Sequence, residues 1–204
     1  MFVNIVDFAR NLLAKSPTVA LITWKKRSAL MGVVQRLGGA LRRQRKDTTV
    51  LQLIGAELDS EAFSRKLLDS LTKKNSSRLC LFIHEIEPLA TAASKILNGF
   101  RERFAAIRAL VIFIREDRRR DLLLGCPDLM DWVGLNVARA EDLGRPFTIR
   151  EVSQALRKLE GHYDLSSKEF AKKWSENQAQ GIADAWLWRE LLAVRADLLK
   201  AKTP

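Results

Sequence analysis

The sequence predicts a three-layer α/β domain on a parallel sheet of about five strands, followed by a C-terminal helical tail. Two observations carry this. Four short, nearly continuous apolar runs recur along the chain: VALITW (19–24), VLQLI (50–54), LCLFI (79–83) and ALVIFI (109–114). Strands covered on both faces of a parallel sheet have this character. Between the runs, apolar residues return every three or four positions, which is the spacing of a helix with one buried face. Strand and helix in alternation imply right-handed crossovers with helices on both faces of the sheet. Such sheets hold their ligand sites at the carboxyl ends of the strands.

The elements follow in order. Ile5, Phe8, Ala9, Leu12 and Leu13 form one stripe, so residues 3–15 are expected to be helical. Asp7, Arg10 and Lys15 interrupt that segment, which argues against a secretory signal. The first strand runs directly into Lys25, Lys26, Arg27 and Ser28, and a helix stripe of Leu30, Val33, Val34, Leu37 and Leu41 follows. Phe63, Leu67, Leu68 and Leu71 mark the next helix. Pro88 stands at the start of another, which carries Leu89, Ala92, Ala93, Ile96, Leu97 and Phe100. A weaker run, VGLNVA (133–138), is the candidate fifth strand.

Beyond residue 140 the pattern is helical only. Thr148 with Glu151 and Ser166 with Glu169 have the capping-box spacing, in which each side chain satisfies the other's free backbone donor. Gly161 is the expected stop of the first of these helices. The last helix carries Leu187, Leu191, Val194 and Leu198, with Trp186 and Trp188 beside the stripe. GHYDLSS (161–167) is the expected boundary, dividing the chain into an α/β domain, 1–160, and a helical tail, 161–204.

Lysine and arginine number 35 against 24 aspartates and glutamates, a formal net charge of +11. That balance favours anionic partners such as nucleic acid, nucleotides or acidic proteins. Two basic clusters stand out: Arg42, Arg43, Arg45 and Lys46 at the end of a helix, and Arg118, Arg119 and Arg120 at the start of one. Cations at a helix C-terminus have a local explanation, since they stabilise it by about 0.3–1 kcal/mol. At a helix start they do not, so the second cluster asks for a phosphate or an acidic surface. Aromatic residues interleave with neither, which weakens any case for base stacking. No stretch approaches the ~20 apolar residues of a membrane span, and a cytoplasmic protein with no membrane partner is expected. Cys80 lies in an apolar run far from Cys126, so a disulfide framework is not expected. The histidines are His84 and His162, and no convergent metal set is visible.

A strand, a basic turn with a serine and a helix outline a phosphate-binding loop. Lys26, Arg27 and Ser28 offer charge and a hydroxyl where the helix dipole favours anions. The turn has no glycine, however, and is too short for the eight-residue GxxxxGK[ST] pattern. The third strand ends in LFIHEIE, where an ordinary acidic motif would end in Asp-Glu. His84 occupies the Asp position, and imidazole is a poor ligand for Mg²⁺. Glu85 remains as a relict catalytic base or as an ordinary strand-end residue. The fourth strand ends in Arg115, Glu116 and Asp117, the position of a polar sensor residue, or, for Asp117, of a cap on the next helix.

Taken in order, these elements resemble the nucleotide-binding domain of bacterial AAA+ and STAND-type P-loop ATPases over roughly residues 17–160. FIHEIEPLA (82–90) resembles the family's acidic-motif strand and following helix. ILNGFRERFAAIRALVIFI (96–114) is similar to the helix and strand that carry the sensor residue. CPDLMDW (126–132) resembles a turn of one bacterial subgroup, and DLGRPFTIREVSQAL (142–156) the segment entering the helices beyond the sheet. The resemblance implies a P-loop NTPase-like fold and an ancestral ATP-dependent switch, within signalling or defence proteins that assemble when triggered. The departures fall on the catalytic positions themselves. The expectation is therefore a degenerate, non-hydrolysing domain, a pseudo-ATPase with no cofactor, serving as a regulatory or assembly subunit. Its partner is a protein or another copy of itself, met through Trp186, Trp188 and Leu191, although the tail tryptophans Trp174, Trp186 and Trp188 also read as packing anchors. The alternatives are nucleic-acid binding through the basic clusters, or an ATPase using ATP and Mg²⁺ on an atypical loop.

Overall fold

A computed structural model describes residues 4–14, 17–72, 76–134, 136–144, 147–176, 178–179, 182 and 184–200, without the side chains of Glu57, Ala90 and Trp186. The chain divides into two compact units, Met1–Arg145 and Pro146–Pro204. The division precedes the helix at Ile149–Tyr163 instead of following it at residue 160, because that helix packs against the one at Ala185–Lys200.

The first unit holds five strands: β1 (Thr18–Trp24), β2 (Thr49–Ile54), β3 (Leu79–His84), β4 (Ala109–Arg115) and β5 (Val137–Arg139). All pair in parallel, in the order β2-β3-β4-β1-β5. The three-layer α/β class predicted from the apolar runs is the one observed. The fifth strand is shorter than VGLNVA suggests. Val133 ends a helix and Gly134 turns the chain at φ +50°, so pairing with β1 begins only at Val137.

The topology dictates the layers. From β1 to β2 the chain crosses the sheet one way, and from β2 through β3 and β4 to β5 it returns the other way. Right-handed crossovers put these two directions on opposite faces. On one face, Ala20, Ile22, Phe82, Val111 and Phe113 pack against α1 (Ile5–Ala14) and α2 (Arg27–Gln44). On the other, Val19, Leu21, Leu81, Ile83, Leu110 and Ile112 pack against α3 (Ser60–Thr72), α4 (Ala90–Gly99), α5 (Arg119–Gly125) and α6 (Pro127–Val133). Alternate residues of each strand thus feed two separate cores. This is why the runs read as continuous apolar sequence. A short α7 (Ala140–Leu143) closes the unit by placing Ala140 and Leu143 in the α2-side core.

The second unit contains α8 (Ile149–Tyr163), α9 (Ser167–Ser175) and α10 (Ala185–Lys200). Both predicted capping boxes form: Thr148 with Glu151 and Ser166 with Glu169. Gly161 does not stop α8. The helix continues to Tyr163 and ends at Asp164, which adopts the left-handed conformation at φ 48°. Trp188 belongs to the buried stripe of α10 and does not lie beside it. Its ring stacks on Phe170, with centroids 4.5 Å apart and planes 2° from parallel, and its Nε1 donates to Ser167 Oγ at 3.0 Å.

Candidate functional site

In this topology β1 and β4 are neighbours whose onward connections leave on opposite faces of the sheet. The crevice at their carboxyl ends is the switch point, where open α/β sheets bind ligands. Only Lys25 and Lys26 separate β1 from α2. Lys26 is extended at the helix N-cap, with φ −108° and ψ 128°, and gives no side-chain cap. The turn is too tight to wrap a phosphate group. Its donors are already engaged: the backbone N–H groups of Lys25 and Lys26 donate to one oxygen, Glu141 Oε1, at 2.9 and 3.1 Å. Glu141 lies on α7, so a carboxylate from the far end of the unit sits against the donors that would face an incoming anion.

A second carboxylate fills the neighbouring position. Glu116, just past β4, accepts from Arg139 Nη2 at 2.7 Å and lies 3.3 Å from Lys25 Nζ. The Arg139 hydrogen bond holds the Glu116 carboxyl below its usual value against partial desolvation, and Lys25 adds to the effect. Arg115 folds back onto Asp117 through two hydrogen bonds, 2.9 and 2.5 Å, while its backbone N–H donates to Glu87 at 3.0 Å. That pairing lowers the Asp117 pKa and raises that of Arg115. At the carboxyl edge, Lys25, Arg115 and Arg139 are therefore paired with the protein's own acids.

The predicted site residues fall into place unevenly. Lys26, Arg27 and Ser28 stand at the turn as expected, with Arg27 Nη2 3.7 Å from Glu85 Oε1. Glu85 is nearly buried and takes φ 53°, a conformation that costs a residue with a side chain about 1–2 kcal/mol. The turn it makes presses on the end of β2. A Cβ on Gly55 would lie 2.8 Å from both Glu85 O and Ile86 Cα. His84 is fully buried, with Nε2 3.0 Å from Gln52 Oε1 and its ring edge-on to Phe113.

Sequence reasoning placed Glu116 at a candidate sensor position and missed Glu141 and Arg139 as residues that complete this edge. The three reach it from two segments, the stretch just after β4 and the end of β5 with the start of α7, and no local spacing links them to Lys25 and Lys26. A cavity of about 220 Å³ opens beside them, lined by Thr23, Glu116, Arg119, Arg139, Asp142 and Leu143. Among the described residues, no group of three or more His, Cys, Asp or Glu could hold a metal ion, and no helix is long and apolar enough to cross a membrane.

No protein-family model matches the chain, and a search of curated proteins finds no match. Among solved structures, the chain is similar to domain III of the replication initiation protein DnaA from Thermotoga maritima. The identity is 14%, over 96% of this chain and 90% of that one, with a TM-score of 0.45. A likeness at that level carries nothing about activity or partners.

The two basic clusters lie at opposite ends of the sheet. Arg118, Arg119 and Arg120 are exposed at the carboxyl edge, where Arg118 pairs with Asp121 at 3.3 Å. Arg42, Arg43, Arg45 and Lys46 are exposed at the amino edge, where α2 ends. The tail residues expected on a partner surface are placed otherwise. Trp188 and Leu191 are fully buried, and Trp188 stacks within its own unit, so they serve packing and are not offered to a partner. The side chain of Trp186 lies outside the described residues.

Proposed function

We propose that this chain is a non-hydrolysing AAA+/STAND-like domain that acts as a regulatory or assembly subunit for a partner protein. The single observation that carries the reading is Glu141. Its carboxylate accepts both backbone N–H groups of the Lys25–Lys26 turn. Nucleotide binding at such a turn depends on free backbone donors at a helix N-terminus. Here a covalently tethered anion satisfies those of Lys25 and Lys26. Its effective concentration exceeds that of a free nucleotide, and its charge repels an incoming phosphate. Lys25 is further committed to Glu116, and Arg27 to Glu85. A domain that keeps the sheet while closing its phosphate turn is suited to work through contacts and not through turnover.

The test is calorimetric titration of Mg²⁺–ATP and Mg²⁺–ADP into the purified protein at low and moderate salt, with phosphate release followed in parallel. The expected result is no saturable heat and no turnover. Saturable binding lost on Lys26→Ala with Arg27→Ala, or turnover abolished by Glu85→Gln, would sink the proposal and make the protein an ATPase with an atypical loop.

A further inference from the structure

The two ends of the sheet differ in how their charge is balanced. At the carboxyl edge, Lys25, Arg27, Arg115, Arg118 and Arg139 each have a carboxylate within 4.0 Å, and among the described residues Lys26, Arg119 and Arg120 are left without one. At the amino edge, Arg42, Arg43, Arg45 and Lys46 gather with Arg78, which precedes β3, and Arg108, which precedes β4. The carboxylate that pairs there, among the described residues, is Asp47. It is committed to the two strand-leading arginines, Arg78 at 3.6 Å and Arg108 at 3.3 Å.

Arg108 is nearly buried and also donates toward Thr48 Oγ1 at 3.4 Å, so it anchors the edge from beneath. Partial desolvation opposes ionisation of Asp47. The hydrogen bond and charge of Arg108, with Arg45 and Arg78, outweigh it and hold the carboxyl below its usual value. Asp47 thus stays ionised yet neutralises only part of the charge around it. No carboxylate among the described residues pairs with Arg42, Arg43, Arg45 or Lys46, and residues 42–47 are all exposed.

A helix C-terminus accounts for one or two cations, worth about 0.3–1 kcal/mol each. It does not account for four unpaired ones beside two more arginines, whose mutual repulsion opposes folding. We propose that this amino-edge face binds the phosphate backbone of a nucleic-acid duplex. It is a surface separate from the β1–α2 turn, and the inference does not depend on how that turn treats nucleotides. A duplex presents about one negative charge per 1.7 Å of its axis, a density that a ridge of adjacent arginines can match. Guanidinium groups are well suited to phosphate oxygens. Arg42–Lys46 contains no aromatic side chain, so the face offers phosphate contact and not base stacking, and binding independent of sequence is expected.

The experiment is fluorescence anisotropy with a labelled DNA duplex of mixed sequence, about 20 base pairs long, over a salt series. The parent protein is compared with Arg45→Gln, with the quadruple variant Arg42→Gln, Arg43→Gln, Arg45→Gln and Lys46→Gln, and with Arg118→Gln, Arg119→Gln and Arg120→Gln combined. All substituted side chains are exposed, and circular dichroism verifies that each variant is folded. The expected result is binding that weakens steeply with salt. The log–log slope should fall by about 0.9 for each phosphate contact removed, hence by about 0.9 for Arg45→Gln and 3–4 for the quadruple variant. The carboxyl-edge triple should stay near the parent. Absence of duplex binding by the parent, an unchanged slope in the quadruple variant, or equal loss in the carboxyl-edge triple would each overturn the assignment. So would binding to anionic phosphatidylserine vesicles through the same four residues without binding to the duplex.

Discussion

Replacing Glu141 by alanine isolates the contact on which the closed turn depends. The substitution removes one acceptor oxygen from two backbone donors, at 2.9 and 3.1 Å. A buried hydrogen bond to a charged group is worth about 1.5–3 kcal/mol, but these two lie at an exposed turn where water can replace the carboxylate. Loss of a helix N-cap side chain is the nearer comparison, at about 0.5–2 kcal/mol. Two donors served by one oxygen place the expected loss at about 1–2 kcal/mol. For a chain of this size that is a fall in melting temperature of roughly 2–8 °C. Glu141→Gln keeps an acceptor at the same reach while removing the charge, and should recover more than half of the loss.

The same variants report on anion access. With Arg42, Arg43, Arg45 and Lys46 changed to Gln throughout, so that the amino-edge cations do not contribute, pyrophosphate should leave the thermal transition unmoved while Glu141 is present. In Glu141→Ala the vacated donors become available, and at tenfold excess over its dissociation constant an anion stabilises by about 1.4 kcal/mol. Differential scanning fluorimetry or calorimetry with and without pyrophosphate measures both effects. An alanine variant as stable as the parent, or, in the four-Gln background, a protein with Glu141 stabilised by pyrophosphate as much as its alanine variant, would refute the reasoning.

Two further outcomes follow from the glycines and the carboxylates. Gly55→Ala drives a Cβ to 2.8 Å from backbone atoms of Glu85 and Ile86 and should destabilise the first unit by about 1–3 kcal/mol. Gly161→Ala meets nothing within 4 Å inside α8 and should stabilise the second by about 0.5–1 kcal/mol. Denaturant melts of both variants check the pair, and like-signed shifts would contradict the geometry. Asp47, Glu116 and Asp117 have folded pKa values lowered from ordinary values of 3.8, 4.5 and 3.8. The stability they contribute is complete above those values and is lost as pH falls through their lower folded ones. Chemical melts between pH 6 and pH 2 should show stability dropping at the acid end. Glu116→Gln should flatten part of that drop, and an unchanged acid limb would exclude the Arg139–Glu116 pairing.

Much of the fold was legible in the sequence because its signals are local. Strands buried on both faces must be apolar at every position, so β1, β3 and β4 announced themselves within a residue or so of their ends. The half-exposed edge strand β2 did so through Val50, Leu51, Leu53 and Ile54 around an exposed Gln52. The helix stripes did likewise, and both capping boxes formed because their partners lie three residues apart. Where a second structural context intervened, the local signal failed. Gly161 has the chemistry of a helix stop, yet α8 continues through it and ends instead at left-handed Asp164. Trp188 could have faced a partner, but Phe170 and Ser167 lie where its ring can stack and its N–H can donate. VGLNVA split because a helix claimed Val133 before the strand could begin.

By itself, then, the sequence determined the parallel α/β class, the basic turn after β1 with its missing glycines, and the presence of two basic clusters. Periodicity, residue type and chain spacing are properties of neighbours along the chain. Only the tertiary structure decided what those features face. Glu141 and Glu116 reach the turn from segments that follow β5 and β4, and Asp47 stands between arginines that lead β3 and β4. These pairings depend on which strand ends lie side by side. That is set by packing two cores against one sheet, and no spacing along the chain encodes it.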